Sequence, residues 1–349
     1  MKAFLARKNI VFSAKRYGID ALGAMAQGLF CSLLIGTIIK TLGQQLSIET
    51  LVSIGTFATV MSGPAMAIAI GYALQCDPMV LFSLAAVGQA ANSLGGAGGP
   101  LAVLVIAIVA AECGKAVSKE TKIDILVTPA VTIMVGAALS ILIAPAIGSA
   151  ASQVGILIMW ATELQPFFMG ILVSVVVGVA LTLPISSAAI CAALGLVGLA
   201  GGAAVAGCCA QMVGFAVMSF KENGVNGLIS QGVGTSMLQL PNIVKNPRIW
   251  IAPTLTAAIT GPIATCIFGL QMNGEAVSSG MGTCGFVGQI GVYTGWLNDI
   301  ANGSKAYIST MDWIGLLLIC FVLPAIICPI INSLLRRIGW VKDGDLTLS

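Results

Sequence analysis

Apolar positions in this chain come in long runs rather than in alternation. Runs of spanning or near-spanning length lie at 19–39, 50–74, 78–93, 99–113, 124–147, 166–183, 187–219, 226–239, 249–270, 277–292 and 311–335. From Leu164 to Phe220 no side chain is charged, a stretch far longer than the roughly 20 apolar residues that cross a bilayer once. None of the runs repeats with period two, so a closed barrel is not indicated, and in lipid the alternative that satisfies its own backbone is the helix. The pattern predicts an all-α polytopic integral membrane protein with about 10 transmembrane segments, some too short to cross and therefore broken or re-entrant.

Polar punctuation divides the chain into a basic N-terminus (1–18), a first membrane region (19–150), a mixed segment (151–165), a second membrane region (166–335) and a polar tail (336–349). The mixed segment, "ASQVGILIMWATELQ", carries Trp160 and precedes Pro166, as an amphipathic linker lying in the interface would. Lys2, Arg7, Lys8, Lys15 and Arg16 precede the first run, and Arg336, Arg337 and Lys342 follow the last. Basic residues stay inside, so both termini are expected in the cytoplasm of a bacterial cell, with a multi-pass chain in its cytoplasmic membrane. No cleavable signal peptide is expected, because the basic leader feeds a full-length run.

Composition agrees: 58% of residues are hydrophobic and 8% charged, where a soluble domain carries roughly 25% charged residues. The chain contains 0 histidines, which excludes a histidine phosphocarrier, a Ser-His-Asp hydrolase and a His-ligated metal centre. Its 10 cysteines are scattered with no C-x-x-C pair and read as small packing residues. No catalytic residue, cofactor, metal or nucleic-acid partner is expected.

The chain repeats itself. A shift of 198 superposes Ser62-Gly63-Pro64 on Thr260-Gly261-Pro262, Gly71 on Gly269, Gln75 on Asn273 and Asp77 on Glu275. A shift of 200 puts Val87-Gly88-Gln89 on Val287-Gly288-Gln289 and Gly95 on Gly295. Matched blocks in the same order point to two structural repeats of the transporter kind. Lys245 and Arg248 look cytoplasmic, whereas their counterparts in the first repeat, around Lys40 and Glu49, look external, so the repeats are expected to be inverted. An even number of crossings then requires a re-entrant segment, assigned to 276–292.

Two kinds of candidate follow. Glycine and proline in "NSLGGAGGP", Asn92 to Pro100, disfavour a continuous helix and predict an unwound break or hairpin tip; Gly95 and Gly96 sit in it, and an extramembrane loop is the alternative. Gly63, Pro64, Gly261 and Pro262 read as hinge or packing positions. Polar side chains in apolar surroundings are the candidates for solute contact: Gln89, Asn92, Ser93, Gln289 and Asn273, with the matched acids Asp77 and Glu275. Helix-to-helix hydrogen bonding for the amides and helix capping for Asp77 before Pro78 are the competing uses.

The segments "GTIIKTLG", "SGPAMAIAIGYAL", "NSLGGAGGPLAVLVIA", "ITGPIATCIFGLQM" and "GMGTCGFVGQIGVY" together resemble the PfoR-type membrane proteins, grouped with the EIIC subunits of bacterial phosphotransferase systems. That resemblance implies a homodimeric permease that moves a sugar or sugar-like solute by alternating access and hands it to a separate phosphorylated EIIB; some PfoR-type members are regarded as regulatory. The G-I-T-E-P-like motif and the histidine of glucose-type EIIC subunits are absent here. The function expected is an EIIC-like permease for a small polar solute, its path running between the broken segments at 92–100 and 276–289. A membrane sensor without net transport and an ion-coupled secondary transporter are the alternatives.

Overall fold

The computed structural model describes residues 2–348. They are helical apart from turns and one isolated two-residue bridge, Gly198 with Met272, as the apolar runs require. Two compact units divide the chain, the first ending at Ala151 and the second beginning at Ser152. Six helices are long and apolar enough to cross a membrane, or 7 when the bent pair Glu49–Val60 and Ser62–Ala73 counts as one span.

The first unit is a series of antiparallel neighbours. Helix α1 (Arg16–Gln45) packs against α2 (Glu49–Val60) and α3 (Ser62–Ala73), which meet at a 46° bend. Glycine permits this approach: a Cβ on Gly36 would lie 2.8 Å from Gly55 O, and one on Gly28 would lie 2.6 Å from Ala65 O. After Asp77, Pro78 opens α4 (Pro78–Gly95), a position where the missing N–H costs nothing. Helix α5 (Gly99–Val117) returns along it, since Gly95 faces Ala102 at one end and Gly114 faces Val80 at the other. Helix α6 (Asp124–Thr162) then passes Thr132 by Gly114, Gly136 by Val87 and Gly148 by Gly95. Residues 151–162, read from the sequence as an interfacial linker, are the last three turns of α6.

One end of this unit carries its charge. Arg7 and Lys8 pair with Glu120, Lys115 with Glu112 at 2.9 Å, and Lys119 with Asp77. Lys115 also donates to the carbonyls of Asn9 and Leu74, and Tyr17 donates to Glu112 at 3.0 Å. Helix α3 runs toward this end and α4 runs away from it.

In the second unit α7 (Pro166–Thr182), α8 (Gly198–Met218), α9 (Pro247–Ile267) and α11 (Thr310–Arg337) form the frame, with α10 (Val287–Ala301) inside it. Helix α8 is the axis: 94% of its apolar window is buried. Gly207 meets Ser174 of α7, Gly202 meets Leu270 and Gly214 meets Cys328 of α11. The basic end of this unit holds Lys221, Glu222, Arg248, Arg336 and Lys342, with Arg336 paired to Glu222 and Asp343. Helix α9 runs away from that end, whereas in the first unit α3 runs toward the charged one.

Candidate functional site

Three stretches of the second unit leave the helical frame. From the end opposite the basic cluster, the chain passes Asn273 and Glu275, makes a short 3₁₀ turn at Ala276–Gly280 and reaches Gly282–Phe286 before α10 carries it back. Gly282, Gly285 and Phe286 all have positive φ, at 53°, 52° and 58°, so the tip is a left-handed turn that glycine mostly supplies. Its depth can be read against α8. A Cβ on Gly282 would lie 2.6 Å from Cys208 Cβ, and Thr283 Oγ1 donates to Met212 Sδ at 3.5 Å. Cys208 is ten residues into α8, about 15 Å along it, or half of a bilayer core. The segment expected to be re-entrant, 276–292, forms a hairpin packed against the middle of α8, with its tip at 282–286.

From the basic end a second stretch rises. Ser230–Gly234 forms a widened turn, Thr235 is extended and Ser236–Gln239 is a 3₁₀ turn. Ser230–Gly234 packs against the tip at Cys284–Phe286. A third stretch, 183–197, returns between α7 and α8 and is pinned to the re-entrant arm: Ser187 Oγ donates to Gly280 O at 2.7 Å and Ser279 Oγ to Leu196 O at 2.6 Å.

A polar network lies where these stretches meet. Trp250 Nε1 donates to Gln211 Oε1 at 2.9 Å, Thr182 Oγ1 donates to the same oxygen at 3.3 Å and shares a 2.8 Å hydrogen bond with Ser236, and Gln211 Nε2 donates to Thr254 at 3.4 Å. Gln211, Thr182 and Ser236 are each 0% exposed. At the start of α10, Gln289 donates through Nε2 to Cys209 Sγ at 3.2 Å, and its Oε1, also buried, accepts nothing from the described residues. An unpaired amide oxygen in apolar surroundings costs on the order of 1–3 kcal/mol, which a hydroxylated solute would offset.

The sequence-derived candidates separate. Gln289 stands at the meeting point just described. Asn273 sits at the mouth, donating to Gln271 Oε1 at 3.1 Å and to Asp299 Oδ2 at 2.9 Å, and Glu275 is exposed beside it. In the first unit Gln89 and Ser93 share an exposed face of α4, 3.3 Å apart. Asn92 faces inward, donating to Ser62 Oγ at 3.3 Å and lying against Gly99.

Asp77 belongs to the charged end of the first unit. The Lys119 ammonium bonded to it, helped by Ser118 Oγ at 2.9 Å, holds its carboxyl below the usual carboxylate range. Asp77 and Glu275, matched by the repeat, therefore lie one at a basic end and the other opposite one.

The stretch 92–100 is less unwound than its composition suggests. Helix α4 continues to Gly95, and the turn is concentrated at Gly96, with φ 50° and ψ −123°. Gly98 and Gly148 interlock there, a Cβ on Gly98 lying 2.7 Å from Ile147 O and one on Gly148 lying 2.6 Å from Gly95 O. Of the hinge candidates, Gly63 meets Gly88 O at 2.4 Å and Gly261 meets Gly170 O at 2.1 Å, again as Cβ positions. Pro64 lies in the first turn of α3, and Pro262 precedes a widened turn at Ile263–Ile267. The Gln211 network, though Gln211 itself stood out as a lone amide in an uncharged run, was not legible as a group because its members come from four elements.

An all-helical frame with 6 or 7 apolar spans and interrupted interior segments defines a polytopic membrane protein. The chain belongs to the phosphotransferase-system EIIC family, whose model matches residues 19–348. No curated protein and no solved structure matches it. Family membership supports a sugar-permease role in general terms and a cytoplasmic EIIB as the general type of partner.

Proposed function

We propose that the chain is a permease for a small neutral polyhydroxylated solute, carried by alternating access past the meeting point of the interrupted segments of the second unit. The observation that carries this reading is the unpaired, buried Oε1 of Gln289 beside a non-helical tip at the middle of α8. Discontinuous segments expose backbone N–H and C=O groups, and such groups are what replace a solute's hydration near the midplane. Gln211, Thr182 and Ser236 lie on the basic side of that point and offer hydroxyl and amide groups in sequence. Their complete burial fits a closed conformation that must open toward one side at a time.

Basic clusters terminate both units, and the rule that such residues remain inside orients those ends, with both termini, toward the cytoplasm. With each charged end facing the cytoplasm, α3 would run toward it and α9 away from it, the relation expected of inverted repeats. With 0 histidines, the chain offers no imidazole to carry a phosphoryl group, so any phosphorylation coupled to uptake falls to a separate EIIB docking at the basic face. A homodimer, the arrangement implied by the resemblance, completes the assembly proposed here. On the first unit Gln89 and Ser93 offer further solute contacts, Glu275 a rim charge, while Asn92 and Asp77 serve packing and ion pairing.

Proteoliposomes containing the purified chain test this directly. Time-dependent accumulation of a labelled neutral sugar, with or without EIIB and a phosphoryl donor, and its loss in Gln289→Leu are the expected results. Saturable binding with no accumulation under either condition would instead identify a sensor.

A further inference from the structure

We infer that a cavity at the non-basic end of the second unit is an entry site for the same class of solute, distinct from the Gln289 contact; the inference rests on the permease reading. The cavity encloses about 300 Å³ and is lined by Gln271, Asn273, Trp296, Asp299, Lys305 and Asp312, among others. That volume is at the small end of ligand sites, suiting a single sugar ring or hexitol rather than a chain of them.

Each wall is held by a specific local device. Ser309 and Asp312 form a reciprocal capping box at the start of α11, fixing Asp312. Lys305 bonds Asp312 Oδ1 at 2.8 Å and lies 5.8 Å from the centre of the Trp296 ring. Trp296 is in turn steadied edge-on by Trp313, with ring centres 5.3 Å apart. On the facing wall Asn273 bonds both Gln271 and Asp299.

Charge decides the class of ligand. A cationic solute would meet Lys305, and an anionic one would meet Asp299 and Asp312, so neither sign is favoured throughout the cavity. What stays available is an alternating set: Asp299 keeps one carboxylate oxygen beyond the one given to Asn273, Gln271 keeps its NH₂, and the Lys305 ammonium keeps further N–H groups. A vicinal diol donates to a carboxylate and accepts from an amide or ammonium, so it satisfies this set without bringing charge.

The cavity also leads inward. Trp296 and Gln289 stand seven residues apart on α10, two turns or about 10 Å along one face. Between them the chain is tightly closed. A Cβ on Gly274 would lie 2.3 Å from Gly291 O, and one on Gly295 would lie 2.7 Å from Asn273 N. A solute held at the mouth therefore reaches Gln289 only when the strand at Asn273–Gly274 lifts from α10.

Tryptophan fluorescence of the purified full chain, titrated with glucose, mannitol and N-acetylglucosamine and with lysine and gluconate as charged controls, tests the entry site. At least one neutral probe should give a saturable change. Gln271→Ala, a change at an exposed position, and Asp299→Asn, which keeps the shape, should each weaken it at least tenfold. Gln289→Leu should keep this signal while abolishing uptake. Saturation by a charged control alone, no saturation by any neutral probe, or unchanged binding in folded Gln271→Ala and Asp299→Asn would overturn the entry site. Failure of the permease reading looks different: binding persists in the wild type, but the bound sugar never accumulates in proteoliposomes.

Discussion

Gln289 Nε2 lies 3.2 Å from Cys209 Sγ, while the other end of the same amide has no hydrogen-bond partner among the described residues. A thiol is a weak acceptor, so this side chain is poorly compensated at both ends in the interior of a membrane protein. Asn332 Oδ1 is likewise buried without a partner, but Gln289 stands beside the non-helical tip, which makes it an informative single position to substitute.

Replacing Gln289 by Leu removes an unpaired polar atom and fills similar volume. Thermal unfolding in detergent should show an equal or higher midpoint, because an orphaned amide costs on the order of 1–3 kcal/mol. Sugar uptake should fall at least about tenfold, the equivalent of one hydrogen bond of about 1.4 kcal/mol. A variant that unfolds early and loses uptake together would assign Gln289 to packing instead.

Gly88 and Gly96 should respond to alanine for different reasons. A Cβ on Gly88 would sit 2.2 Å from Gly63 O, so α3 and α4 must separate, at a cost of about 1–3 kcal/mol. Nothing lies within 4 Å of a Cβ at Gly96, whose φ is +50° and ψ −123°, so only backbone strain of about 1–3 kcal/mol arises there. Gly88→Val should be much worse than Gly88→Ala. Gly96→Val should exceed Gly96→Ala only through the poor fit of a β-branched residue to positive φ and not through a clash, and comparing the four unfolding midpoints checks both statements.

Asp77 should stabilise the first unit in a pH-dependent manner. Its folded-state carboxyl is depressed below its ordinary value of 3.8 by Lys119 and Ser118. The contribution is therefore fully present above that value and is lost as pH falls through the lower folded-state value. The stability difference between wild type and Asp77→Asn should be constant from pH 7 to about 5 and shrink below about 4. Lys119 is 71% exposed and Asp77 35%, so the difference should also shrink at high salt.

The polar tail should matter to the second unit. Val341 is 2% exposed and Leu346 0%. Leu346 O accepts from Asn223 and Gln239, at 2.8 and 2.9 Å, and Thr347 O accepts from Asn242 at 2.9 Å. Leu346→Ala should cost about 2–5 kcal/mol, and deletion of residues 341–348 should cost more, because the buried amides of Gln239 and Asn242 and the half-buried amide of Asn223 lose partners. Limited proteolysis near Asn223 and Gln239 would register the loosening.

Apolar runs were enough to predict the helical frame, since in lipid the length and period of a run leave one solution. Loop charges called for one re-entrant segment, and the choice of 276–292 falls on a hairpin rather than a through-going helix. Other features depend on contacts between distant positions. Asp299, Lys305 and Asp312 carry no shared motif in the sequence, and the turn between α10 and α11 brings them together beside Trp296. The tail read as a short solvated end because its lysines and aspartates conceal two apolar anchors, Val341 and Leu346. "NSLGGAGGP" overstated the break, because glycine lets α5 and α6 approach closely there as well as letting the chain turn. The repeat was legible in letters but not in partners: Gly63 packs on a following helix, Gly261 on a preceding one.

Helix α8 has a further consequence for biogenesis. Eleven of its 21 residues are Gly or Ala, types that contribute little toward partitioning from the translocon, where Leu, Ile, Phe and Val supply the favourable free energy. Such a helix is poorly retained alone, so its residence in the bilayer depends on α7 already waiting there to receive it. The smallness that allows the core of the second unit to close also commits the nascent chain to inserting its middle helices as a group.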